Sequence, residues 1–161
     1  MADVVDKATR SRMMSGIRSK NTKPEKKIRS ALHRRGFRFR LNQASLPGKP
    51  DLVFRKYNAV IFIHGCFWHG HNCRLFKWPS SNTAFWRNKI ERNRAKDAEV
   101  LVVLKKIGWR VIVIWECALK GKAQMAKLPN TVDRVCTWLL RSNYSFKEIS
   151  GSAVAWHKIS E

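Results

Sequence analysis

Ala59-Val60-Ile61-Phe62-Ile63-His64-Gly65 is apolar at five consecutive positions before it meets a histidine and a glycine. A run that is apolar throughout, rather than at alternate positions, marks a central strand covered on both faces. Arg110–Trp115 has the same character and runs into Glu116-Cys117. Between the two, Thr83 to about Lys106 carries Phe85, Trp86, Ile90, Ala98, Leu101, Val102 and Ile107 at spacings of three and four, a helical pattern expected to break near Asn93 and to stop at Gly108.

Upstream, Tyr57-Asn58 turns the chain back from Asp51-Leu52-Val53-Phe54, and Ser45–Pro50 is a turn. Phe37, Phe39 and Leu41 alternate with Arg38 and Arg40, which predicts a half-buried strand. Thr22-Lys23-Pro24-Glu25 reads as a capping box opening a helix of Ile28, Ala31 and Leu32, with Gly36 just past its end. Downstream, Thr131–Leu140 is amphipathic, with Val132, Val135, Cys136 and Leu139 inward, and residues after Asn143 show no pattern. The expected fold class is α/β, a central mixed β-sheet flanked by helices. The expected division is a basic N-terminal arm (1–20), one domain (21–142) and a C-terminal tail (143–161).

Composition narrows the function. Lys+Arg 33 against Asp+Glu 11 gives a net charge of +22, which self-repels unless a polyanion supplies the counter-charge, so nucleic acid is the expected partner. Seven Trp and 44% apolar residues exclude a merely basic disordered chain. No run of eighteen apolar residues exists, so no membrane span is expected, and the N-terminus lacks the pattern of an export signal. The expected compartment is the reducing cytoplasm, where cysteines argue for metal before disulfides.

Cys66, His71, Cys73 and Cys117 are the ligand types of a closed tetrahedral zinc site. If the strands ending near His64 and Trp115 are parallel neighbours, Cys66 and Cys117 emerge at one sheet end. Asp51 lies thirteen positions before His64, so a hairpin would bring both to that end. A carboxylate there suits Mg²⁺ against phosphate oxygens. His69 stays outside a four-ligand set and is either a proton acceptor for water or a surface or spare-ligand histidine. Glu25 already has a role in the capping box, which does not preclude a second. Phe67 and Trp68, side by side in the cysteine-rich loop, have few places to bury and look like wedges for base steps. Trp86 either joins them or packs in the core, and Met14 is equally ambiguous. Cys136 reads as a small core residue, and His33 and His157 as surface residues.

Gly48-Lys49-Pro50-Asp51, Ile61 through Cys73, Gly108-Trp109-Arg110-Val111 and Trp115-Glu116-Cys117-Ala118-Leu119, with Asp6–Ser11, Met14 and Phe85-Trp86, strongly resemble the very short patch repair endonucleases over most of residues 1–120. The resemblance implies a restriction-endonuclease-like core with a structural zinc site. It implies Mg²⁺ bound by Asp51 and the main-chain carbonyl of Ile63, with Glu25 and His64 holding metal-bound waters and His69 as general base. It implies zinc at Cys66, His71, Cys73 and Cys117, and intercalation by Phe67, Trp68 and Trp86 from one groove and Met14 from the other. Phe62-Ile63-His64 stands where this fold usually has D/E-x-K, and Ile63 replaces an expected threonine, a change that a carbonyl ligand survives.

The implied activity is Mg-dependent nicking of duplex DNA 5′ of the T in a T:G mismatch arising from deaminated 5-methylcytosine. The implied actor is a bacterial, nucleoid-associated monomer with mismatch-repair proteins as further partners. The competing expectation is a non-catalytic, zinc-stabilised nucleic-acid-binding protein. A buried carboxylate facing phosphates argues against it, because it repels the ligand unless a cation intervenes.

Overall fold

The computed structural model describes residues 6–16, 20–121 and 124–151. Helix α1 (Lys7–Ser15) is basic and short, and Asp6 caps it by accepting from the Thr9 N–H at 2.9 Å. Helix α2 (Lys23–Arg34) begins with the expected capping box and buries Ile28 and Leu32. Strands β1 (Arg40–Leu41), β2 (Leu52–Phe54) and β3 (Ala59–His64) follow, then helix α3 (Thr83–Lys106), strand β4 (Arg110–Trp115), helix α4 (Gln124–Arg141) and strand β5 (Phe146–Ile149).

The five strands form one mixed sheet in sequence order. The pairs β1/β2 and β2/β3 are antiparallel, while β3/β4 and β4/β5 are parallel. The two strands read as central are central, and each is covered on both faces. Ile61, Ile112 and Ile114 face a core with Ile28, Leu32, Val132, Val135 and Trp138 from α2 and α4. Val60, Phe62, Val111 and Val113 face the opposite core, which takes Leu104 from α3. Sheet and helices are therefore built as the apolar runs require. Among the described residues no helix is long and apolar enough to cross a membrane.

Four expectations are corrected. Phe37–Leu41 is not a half-buried strand: only Arg40 and Leu41 pair with β2, and both are exposed, while Phe37 and Phe39 reach the core from the preceding loop. Helix α3 runs unbroken through Asn93 for 24 residues. Helix α4 starts at Gln124 rather than Thr131, with Pro129 inside it; Cys136, expected in the core, is half-buried at its margin, while Trp138, not expected inward, is fully buried. Residues 146–149, placed in the tail, form β5 and lie beside β4, with Ile149 buried.

Candidate active site and metal centre

The β2/β3 hairpin pairs Leu52 with Ile61, which carries Asp51 and His64 to the same end of the sheet. There they line an open cleft of about 680 Å³ together with Glu25, His69, Trp68 and the α3 residues Asn93 and Asp97. The Ile63 N–H donates to Asp51 Oδ2 at 2.7 Å. In a strand, a residue's N–H and C=O point to the same edge. The Ile63 carbonyl therefore faces the β2 side, where the register would place Pro50, which has no N–H to offer it. Burial pushes the Asp51 carboxyl up to about 6, and the Glu25 carboxylate pushes the same way against the Ile63 hydrogen bond. A carboxylate raised by burial despite Arg29 and His69 nearby, beside an oxygen the ladder leaves free, fits a hard divalent cation.

Glu25 is buried and fully engaged. It accepts from the Asn21 N–H at 2.9 Å, from Thr22 Oγ1 at 2.8 Å and from Arg29 Nη2 at 2.6 Å. The capping role is thus present, and the same side chain also lines the cleft. His64 and His69 stack with parallel rings 3.8 Å apart. Burial, then the neighbouring His69, lowers His64 to about 3 against the pull of Asp97, a shift that favours the neutral imidazole. Its Nδ1 is buried and has no partner among the described residues.

Asp97 is the residue sequence reasoning missed. Its Oδ2 lies 2.5 Å from His69 Nδ1. An ionised carboxylate only accepts, so His69 donates from Nδ1, and in the neutral ring the lone pair then lies on Nε2. The signal was available: Asp97 falls seven residues after Ile90 and seven before Leu104, the two buried residues of α3. A carboxylate in the inward stripe of a helix needs a partner. Asn93, one turn earlier, donates from Nδ2 to the Trp68 carbonyl at 2.8 Å and so ties α3 to the loop.

The second constellation stands beside the first. Parallel pairing of His64 with Trp115 puts Cys66 and Cys117, each two residues further on, at one sheet end. His71 and Cys73 come from the intervening loop, whose turn is closed by the His71 N–H on the Cys66 carbonyl at 2.9 Å. The four ligand atoms lie within 4.8 Å of one another, and the His71 ring stacks on Trp115 at 4.1 Å. Hydrogen bonding from the Cys66 thiol, helped by the Gly151 N–H and His71, draws Cys117 down to about 5, while Cys66 is correspondingly raised. A tetrahedral zinc with bonds of about 2.3 Å separates its sulfurs by about 3.8 Å, so this donor set fits that ion.

Phe67, Trp68 and Trp86 meet as a half-buried group, with ring centroids 5.3 to 5.9 Å apart. Trp86 thus joins the loop pair. Met14 stands exposed on α1.

A carboxylate, a carboxylate-oriented histidine and a cysteine–histidine set, all held at one sheet end of a chain of charge +22, suit a hydrolase of polyanions. The chain is 47% identical over 139 residues to the DNA mismatch endonuclease Vsr of Escherichia coli, a match covering 86% of this chain and 88% of that protein. It is also 47% identical over 134 residues to the type II nicking enzyme V.XorIIP of Xanthomonas oryzae pv. oryzae, covering 83% of this chain and 98% of that protein. With V.NmeAIP of Neisseria meningitidis it shares 50% over 123 residues, 76% of this chain and 88% of that protein. The family model of DNA mismatch endonuclease Vsr matches residues 2–75. This chain belongs to the Vsr family of DNA mismatch endonucleases.

Proposed function

We propose that this chain nicks duplex DNA on the 5′ side of the T in a T:G mismatch, leaving 5′-phosphate and 3′-hydroxyl ends and opening very short patch repair. The observation that carries this is the meeting of Asp51 with the His69–Asp97 pair in one cleft. The proposed core is restriction-endonuclease-like, with the His64 and His69 imidazoles replacing the usual second acid and lysine. Mg²⁺, held by the Asp51 carboxylate and the Ile63 main-chain carbonyl with Glu25 and His64 facing its waters, would supply charge neutralisation at the scissile phosphate. His69 Nε2 takes the proton of the attacking water, and Asp97 holds the ring and stabilises the imidazolium that forms. Neutral His64 keeps a second positive charge away from His69 by stacking on it without ionising. Zinc at Cys66, His71, Cys73 and Cys117 would fix the loop on which His69, Phe67 and Trp68 ride.

The mismatch is chosen by deformability. Phe67, Trp68 and Trp86, opposed by Met14, act as wedges, and unstacking a step costs less where pairing is already imperfect. Trp68→Ala should therefore lower affinity for T:G duplex more than for paired duplex of the same sequence, measured by titration of both. An equal loss on the two duplexes would make Trp68 a packing residue.

The primary test is nicking of a labelled T:G duplex with and without Mg²⁺, with the broken strand mapped. A metal-dependent break 5′ of the T is expected, and tight binding without a break would favour the non-catalytic reading. His69→Ala should slow single-turnover nicking by about 10²–10⁴-fold, the usual worth of a general base. Asp97→Asn should slow it by a comparable factor, because an amide can donate to Nδ1 and move the ring proton to Nε2, which removes the base. An unchanged rate in both would remove the pair from the mechanism.

A further inference from the structure

Trp78 and Arg87 lie outside the cleft and outside the residues assigned to the wedge. Trp78 is 46% exposed, yet its ring is held on two sides. Phe76 meets it edge-on at 5.0 Å, and the Arg87 guanidinium, from the start of α3, stands 5.2 Å over its face. Phe76 in turn packs on Phe67 at 6.3 Å, and Phe67 on Trp68 at 5.3 Å. A continuous path of rings thus leads from the cleft wall out to an exposed indole. Among the described residues Arg87 has no carboxylate partner. One exposed indole is ordinary for a protein surface. An exposed indole fixed at the end of an aromatic path, with an unneutralised guanidinium laid on it, is a surface prepared for an anionic partner with an apolar flank.

We infer that Trp78 and Arg87 form a second DNA contact, gripping the sugar–phosphate backbone of the same duplex a few base pairs from the mismatch. Arg87 would take a phosphate and the indole would pack against the adjoining deoxyribose. The inference rests on the mismatch-nickase reading and adds a contact to it. Continuity with the wedge and the sign of the charge select duplex DNA as the occupant. Three ring-to-ring steps of 5.0 to 6.3 Å separate Trp68 from Trp78. At 3.4 Å per base step the contact lies at most about five steps away. The planar guanidinium is pre-oriented by the indole beneath it and keeps its outward N–H groups for phosphate oxygens. A backbone contact carries no sequence information, so it should strengthen paired and mismatched DNA alike. That separates it from the wedge, whose loss should change the discrimination itself.

The test uses the full chain with Arg87→Gln and Trp78→Ala, a T:G duplex and a paired duplex of the same sequence. Affinity is read across a salt series, with hydroxyl-radical footprints and nicking at saturating enzyme. Arg87→Gln should bind both duplexes about tenfold more weakly, the worth of one charge-assisted hydrogen bond. Its salt slope should fall by about 0.9, one phosphate's share, and its footprint should shorten on one side. The saturating nicking rate should match the parent. Trp78→Ala should bind both duplexes less tightly at an unchanged salt slope and an unchanged melting temperature. Parental affinity and footprint in both variants would overturn the proposal, and so would a loss confined to the T:G duplex. If Trp78→Ala melts low, the indole is a packing residue and the Arg87→Gln salt slope decides alone, an unchanged slope overturning the contact. A parent that binds but does not nick defeats the nickase reading and leaves this contact standing. A parent that nicks while Arg87→Gln keeps the parental slope defeats the contact alone.

Discussion

Asp51→Asn should give a folded protein that binds duplex DNA and fails to cut it. The substitution removes the one side-chain carboxylate proposed to bring a cation to the scissile phosphate. Charge stabilisation of that kind is worth several kcal/mol, so a loss of at least about 10³-fold in single-turnover nicking is expected. Stability should move the other way. The folded Asp51 carboxyl sits at about 6, above its ordinary 3.8, so its stabilising contribution is complete below about pH 4 and is lost as pH rises through 6. At pH 7.5, without divalent ions, the ionised group costs roughly 2–3 kcal/mol, and the neutral amide relieves that cost while still accepting from the Ile63 N–H. A metal-free variant melting higher than the parent, together with lost nicking, separates a missing ligand from a damaged fold. Nicking at near-parental rate would remove Asp51 from the mechanism.

Cys73→Ser should damage the protein as a whole. In a closed four-ligand site the ion's binding energy is folding energy, so losing one thiolate should release metal and lower stability together. For a chain of this size, a loss of a few kcal/mol lowers the melting temperature by on the order of 10 °C. Metal analysis beside a melting curve is the check: about one zinc per chain is expected in the parent and little in the variant. Nicking should fall with the metal, because His69 and the Phe67–Trp68 pair ride on the loop that Cys66, His71 and Cys73 pin down. A parent that is folded, active and free of zinc would refute the site.

The sheet was legible because Ala59–Ile63 in β3 and Val111–Trp115 in β4 are apolar at every position, and only a strand buried on both faces needs that. The Cys/His set was legible because three cysteines and a histidine are the donor types of one tetrahedral site, and parallel strands ending two residues before Cys66 and Cys117 bring distant thiols together. Asp97 was harder to see, since one of three acids in a basic helix looks like surface until its phase with Ile90 and Leu104 is measured. Strand β5 hid for another reason. Phe146-Lys147-Glu148-Ile149 buries only Ile149, because an edge strand has one neighbour and an open side, so no apolar run announces it. The expected break in α3 failed because polarity alone does not kink a helix. Asn93 sends its amide outward to the Trp68 carbonyl and leaves the backbone ladder intact.

Pro50 has a consequence for how this family can vary. An imino acid in the register opposite Ile63 leaves one rung of the ladder unmade, and the orphaned acceptor sits at the lip where two strands part. On the proposed mechanism the cleft thereby gains a second oxygen without spending a second acid, and that oxygen belongs to the chain rather than to any side group. Position 63 then becomes chemically silent: threonine, isoleucine or another β-former would present the same atom at the same place. Selection would act instead on the proline thirteen positions upstream, whose contribution is the hydrogen it does not have.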